Sequence, residues 1–197
     1  MRPISGPDEL LAHQDQVLRH TAAIVAAVRP DQLGLPTPCA AWTVGDLIAH
    51  LADANLMFAT AVSGDAGEVA PEGGPPGAAG DGDVVERYHR SVPVLLAAWR
   101  RPGAVEGAAA LPFATLPAVM ALEMQTVDHL VHSWDLARAT GLPEAIDPVL
   151  AEFAYRSVTA AVGDDARGAD GPFGPEVACP PDAPVQDRLV AFLGRRP

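Results

Sequence analysis

The chain has 197 residues and a mass of 20.4 kDa, ample for one domain with a real core and a tight fit for two. With 49% hydrophobic and 19% charged residues it can bury apolar surface, which excludes global disorder. A net charge of −12 argues against nucleic acid as a partner, and all 13 basic residues are arginine, so lysine Schiff-base chemistry and the lysine-bearing phosphate loop are excluded.

The opening MRPISGPDELL lacks the positive-then-apolar pattern of a secretory signal, and no run approaches the roughly 18 apolar residues of a membrane span. A cytoplasmic protein with no membrane partner is expected. Cys39 and Cys179 are far apart, outside any C-x-x-C spacing, and are expected as free thiols.

From Pro7 to Val28, apolar residues recur at three- and four-residue spacings until Pro30 ends the pattern, which predicts a first helix. Thr43 and Asp46 have the spacing of a capping box, with Trp42 and Leu47 placed as its hydrophobic staple. A second helix is expected from Val44 to about Val62, with Leu47, Leu51, Ala54, Phe58 and Ala61 facing inward and His50 on the border of that stripe. Residues 65–82 hold six Gly and three Pro, which predicts a surface loop.

Asp83 and Glu86 repeat the capping-box spacing before a third helix that reaches Trp99, with Pro93 expected to bend it. The segment LPFATLP is too short and proline-bounded to predict a strand of consequence, and Pro117 is expected in the first turn of a fourth helix. This helix runs to about Thr140, where Gly141 offers a left-handed cap and Pro143 forbids continuation. Asp147 and Pro148 start a fifth helix, and the proline-rich tail ends in a short helix from about Gln186 to Leu193. The expected fold is therefore all-α, an antiparallel bundle of four main helices over residues 1–163, with residues 164–197 packed on the same domain.

In the fourth helix, Asp128 and His132 are four residues apart, which stacks a carboxylate and an imidazole on one face. With His50 from the second helix they compose a two-His, one-carboxylate set able to hold a metal between facing helices. The spacing fits hydrogen-bonded bundle histidines as well, and by itself favours them. His129 points about 100 degrees away from Asp128 and reads as solvated or structural. Asp135 and Arg138 have the spacing of a surface ion pair, with the alternative that either orients a ligand from behind the site. Trp42 and Trp134 read as packing residues, and Cys39, with no neighbouring base predicted, as an inert buried thiol.

The motifs TPCAAWTVGDLIAHL, LPFATLPA, DHLVHSWDLARATG, PFGPEV and DRLVAFLGRRP resemble the actinobacterial family that carries the metal-binding domain of mycothiol-dependent maleylpyruvate isomerase, a DinB-like bundle. The resemblance implies that His50 and His132 are metal-binding histidines and that Asp128 takes the place of the isomerase's ligand glutamate. It implies a divalent metal, zinc above others, with mycothiol as cosubstrate. The implied activity is that of a transferase or isomerase acting on a small electrophilic molecule, in a monomer or homodimer. The isomerase continues into a distinct C-terminal domain, in whose place the short proline-rich tail is expected here. Two other readings share the donor set: a non-haem iron enzyme, which an all-helical fold disfavours, and a non-catalytic metal- or small-molecule-binding bundle.

Overall fold

The computed structural model describes residues 5–39, 42–63, 83–163, 166–168 and 173–197; the glycine-rich segment 65–82 lies outside them. The elements in chain order are helix α1 (Pro7–Ala27), a single 3₁₀ turn (Pro30–Gln32), α2 (Val44–Ser63), α3 (Val84–Trp99), strands β1 (Ala108–Leu111) and β2 (Ala114–Pro117), α4 (Ala118–Thr140), α5 (Pro148–Ala161) and α6 (Val185–Phe192). This is the DinB-like helical bundle expected from the sequence.

Helices α2, α3 and α5 each start at a side-chain cap. The Asp46 carboxylate accepts from the Thr43 amide at 3.0 Å and the Thr43 hydroxyl at 2.6 Å, while Thr43 Oγ1 accepts from the Asp46 amide at 3.2 Å, so the predicted capping box is complete. Asp83 accepts from the Val85 and Glu86 amides, and Asp147 from those of Val149 and Leu150. Glu86 does not return the bond to Asp83 but pairs with Arg90 one turn on, at 2.5 Å. Pro93 sits inside α3 without ending it. Gly141, at φ +71°, closes α4, and the Leu142 amide reaches back to the Ala137 carbonyl at 2.9 Å.

The sequence reading is corrected at LPFATLP. Residues 108–117 form an antiparallel hairpin with Leu111 opposite Ala114 and Ala108 opposite Pro117. Ala109 and Leu111 face inward and are buried against the bundle, so a strand pair too short to stand alone is stabilised by one packed face. Pro117 accordingly ends β2 and precedes α4 rather than lying in its first turn.

In the bundle α2 packs chiefly on α3 and α1 chiefly on α4, with α2 and α4 also in contact. Helix α4 is buried on nearly every side from Ala121 to Ala137, so its polar residues need partners inside the protein. Gln125 meets this with bonds to one residue from each other main helix. Its Oε1 accepts from Gln14 of α1 at 2.8 Å and from the Trp99 indole of α3 at 3.0 Å, and its Nε2 donates to Asn55 of α2 at 3.3 Å. Asn55 in turn donates to Ser91 at 2.8 Å. Such a network fixes the relative rotation and height of the helices, because a slip of any one orphans buried polar groups. Helix α6 packs on α5, and Leu189, Val190 and Leu193 join the same apolar core as Leu122, Leu130 and Leu150.

Replacing Thr43 by Ala removes the cap side chain at the start of the helix that carries His50. Urea unfolding of Thr43→Ala is expected to show a loss of about 1 kcal/mol. A midpoint equal to that of wild type would show that the cap contributes nothing.

Candidate metal centre

The loop before α2 is tied at its ends. Pro36 and Thr43 form a β-bridge, the Thr37 amide donates to the Trp42 carbonyl at 3.1 Å, and the Trp42 amide donates to the Cys39 carbonyl at 3.1 Å. The Gly45 amide bonds the Leu33 carbonyl at 2.9 Å, an approach so close that a Cβ at position 45 would lie 3.3 Å from that oxygen. These ties hold Cys39 and Trp42 over the gap between α2 and α4, where His50 and the polar face of α4 meet.

Three side chains converge there. His50 Nε2 lies 3.7 Å from Asp128 Oδ2, and His132 Nε2 lies 3.3 Å from Asp128 Oδ1. All three donor atoms fall within 4.8 Å of one another. Ligand atoms around a tetrahedral zinc ion sit roughly 3.3–3.5 Å apart, so a small contraction of this set encloses a divalent ion. His50 and Asp128 are about one-third exposed and His132 is nearly buried, which leaves the centre open on one side.

The opposite edge of the His132 ring is held from behind. Nδ1 lies 2.9 Å from Asp135 Oδ2 and donates to it, so Nε2, 3.3 Å from Asp128 Oδ1, is the ring nitrogen that a metal would take in place of its proton. A carboxylate behind a histidine in this way is the usual support of a metal-binding imidazole. The residues present therefore fit a divalent metal in both donor chemistry and outer support.

Asp135 is fully buried and is not the partner of Arg138, which corrects the surface-pair expectation. It is gripped by Arg195 of the C-terminal tail, with Nε 2.8 Å from Oδ1 and Nη2 2.7 Å from Oδ2. Arg138 instead pairs with Glu144 at 2.7 Å, donates to the Arg196 carbonyl at 3.3 Å and lies 5.3 Å from the centre of the Trp134 ring. Cys39 is also not isolated. Its Sγ is 3.1 Å from Arg195 Nη2, 3.5 Å from Asp135 Oδ2 and 3.8 Å from His132 Nδ1. Cys39, His132 and Asp135 are close enough to hold an ion of their own, but the Arg195 charge already occupies that space and would repel one. Trp42 walls the site, its ring 4.5 Å from that of His50 and 6.1 Å from that of His132. Trp134 is a core residue, as expected.

The charges are mutually adjusted. Burial by itself would raise the Asp128 carboxyl, but the charge and hydrogen bond of His132, then those of His50, outweigh it and hold it well below the usual carboxylate value. For His132, burial would favour the neutral ring; Asp128, helped by Asp135 and Cys39, outweighs this and raises its pKa well above normal. Burial likewise opposes the Asp135 charge, and Arg195 followed by His132 overcomes it, keeping this acid ionised. His129 is buried rather than solvated, its Nδ1 3.2 Å from the Gln125 carbonyl, and burial pushes its pKa down to about 4 despite the opposing charge of Asp128.

Residues 15–137 match the family model described as the mycothiol maleylpyruvate isomerase N-terminal domain. The chain belongs to this family. Within it, the chain is 38% identical over 188 residues to the uncharacterized proteins Rv0738 and MT0763 of two Mycobacterium tuberculosis strains, H37Rv and CDC 1551. That alignment covers 95% of this chain and 98% of each relative. Crystal structures of mycothiol-dependent maleylpyruvate isomerase and of a histidine-to-alanine mutant of it superpose with TM-scores of 0.62 and 0.63, at 21% and 20% identity. Each covers 81% of this chain and 71% of the isomerase chain, a likeness of fold.

The His129 shift has a consequence for acid stability. Its ordinary value is about 6.5, so as the pH falls from there the unfolded chain takes up a proton that the folded chain refuses until about pH 4. His129 therefore removes stability across that window. Urea unfolding of metal-free protein is expected to show a smaller loss between pH 6.5 and pH 4 in His129→Leu than in wild type. Parallel pH profiles for the two proteins would refute this role.

Proposed function

We propose that this family member is a metal- and thiol-dependent transferase or isomerase acting on a small electrophilic metabolite. His50, Asp128 and His132 would hold one divalent ion, with zinc favoured by the nitrogen and oxygen donors and by the small spacing of the set. The observation that carries the reading is the convergence of these three donors together with the carboxylate already bonded to the far nitrogen of His132.

When bound at three protein ligands, zinc keeps an open position and lowers the pKa of a thiol delivered to it. The family description and the named isomerase structures support mycothiol as that thiol. This chain's residues then have distinct tasks. Asp128 balances the positive charge of the centre, and Asp135 keeps the His132 proton on Nδ1. The Trp42 indole covers the His50 ring and shields this edge of the site from water. Attack by the thiol sulfur on an electrophilic carbon gives a conjugate; departure of the same sulfur after bond rotation gives an isomer. The nucleophile arrives with the cosubstrate, so the protein needs no nucleophilic serine or cysteine of its own.

Protein purified without chelators is expected to contain about one zinc ion per chain, as three ligands on one centre require. It should consume a small electrophile only when thiol is present. His50→Ala and His132→Ala are each expected to lose both metal and thiol-dependent turnover while keeping the helical circular-dichroism signal. Wild-type protein that binds no divalent metal, or turnover that survives both substitutions, would exclude this function.

A further inference from the structure

The C-terminal tail reaches the metal centre through one turn. At the end of α6 the Arg195 amide donates to the Val190 carbonyl at 2.9 Å and the Gly194 amide to that of Ala191 at 3.0 Å, the paired bonds of a Schellman motif. Gly194 is at φ +85°, and a Cβ there would lie 3.1 Å from the backbone of Gly174 and Pro175. Position 194 therefore needs glycine on two counts: its left-handed backbone and its contact with the backbone of the preceding tail segment. This turn sets the direction in which Arg195 leaves the helix. Its side chain is 9% exposed and ends on Asp135, which is 0% exposed.

We propose that Arg195 is a positioning residue for His132, acting through Asp135. The inference rests on the reading of His132 as a metal ligand, and it gives the tail a role at that residue. Both Asp135 oxygens are engaged by the two nitrogens of the guanidinium fork, and Oδ2 also receives the His132 Nδ1 proton. Without Arg195 the buried Asp135 carboxylate would lose the two hydrogen bonds that fix both its oxygens. Its side chain would then be free to turn away, and His132 would lose the acceptor that fixes its ring orientation. The fork matters as well as the charge, because a lysine ammonium cannot bond both oxygens in the carboxylate plane.

Two measurements on the full chain test this. The first is zinc affinity, by competition with a chromogenic chelator. The second is the downfield proton resonance of His132 Nδ1–H in metal-free protein. Arg195→Gln is expected to weaken zinc binding about 10- to 100-fold, in the range seen for outer-shell partners, and to abolish or broaden the resonance. Arg195→Lys, which keeps the charge, should show a smaller loss of both and serves if the Gln variant does not fold. Arg188→Gln, on the same helix but stacked over Tyr155, is the control and should match wild type. Unchanged zinc affinity and resonance in Arg195→Gln would overturn the proposal, as would an equal loss in Arg188→Gln. Wild-type protein that binds no zinc would overturn the metal reading alone; the resonance would still decide whether Arg195 governs His132.

Discussion

The hydrogen bond between His132 Nδ1 and buried Asp135 is the contact on which the rest of the site depends. An imidazole between two carboxylates, Asp128 in front and Asp135 behind, is held in its charged form, and a metal replaces the front proton while the rear one stays on Nδ1. Asp135 keeps that rear proton in place, because it is fully buried and kept ionised by Arg195. Asp128, nearer the surface and shared with His50, is left facing the open side. The front of the centre is thus acidic and accessible, and its back is sealed by a guanidinium, a thiol and the bundle core.

Such an arrangement needs a rigid frame, since a shift of about 1 Å separates ligands from one ion. The frame comes from polar contacts inside an otherwise apolar bundle. Gln125 lies one turn before His129 on α4 and ties that helix to the three others by direct side-chain hydrogen bonds. The same helix carries Asp128, His132 and Asp135, so the register enforced at Gln125 is passed along a continuous helix to the site. The capping box at Thr43 and the tied loop before it do the equivalent for His50 on α2 and for Trp42 and Cys39 beside it.

The tail contributes through backbone geometry as much as through chemistry. The Val177 amide bonds the Ala191 carbonyl at 2.9 Å, and Arg167 donates to the Phe192 carbonyl at 2.7 Å, so α6 is held on both sides before the Gly194 turn. The related isomerase shares the bundle and is covered over 71% of its length, so its likeness to this chain speaks for the frame.

The helices, their N-cap residues and the Asp128–His132 pair were legible in the sequence because they are local: periodicity, N-cap spacing, and an i, i+4 pair on one helix. His50 could be joined to that pair by its place on the inward border of α2 and by the family motifs. The 108–117 hairpin escaped because its stability comes from packing one small face on the bundle, which no strand pattern of four residues announces. Asp135 was read first as a surface partner of Arg138 and only alternatively as a support behind the site, Cys39 was read as having no neighbouring base, and Arg195 was missed, all for a related reason. Asp135 and Arg138 match an i, i+3 surface pair, and only the burial of α4 on nearly all sides turns Asp135 inward. Its true partner lies 60 residues away, and Cys39 comes from a third segment 96 residues from Asp135. Sequence spacing determined which helices form and which donors share a face; tertiary packing alone decided which buried charge answers which, because desolvation forces a partner without specifying from where in the chain it comes.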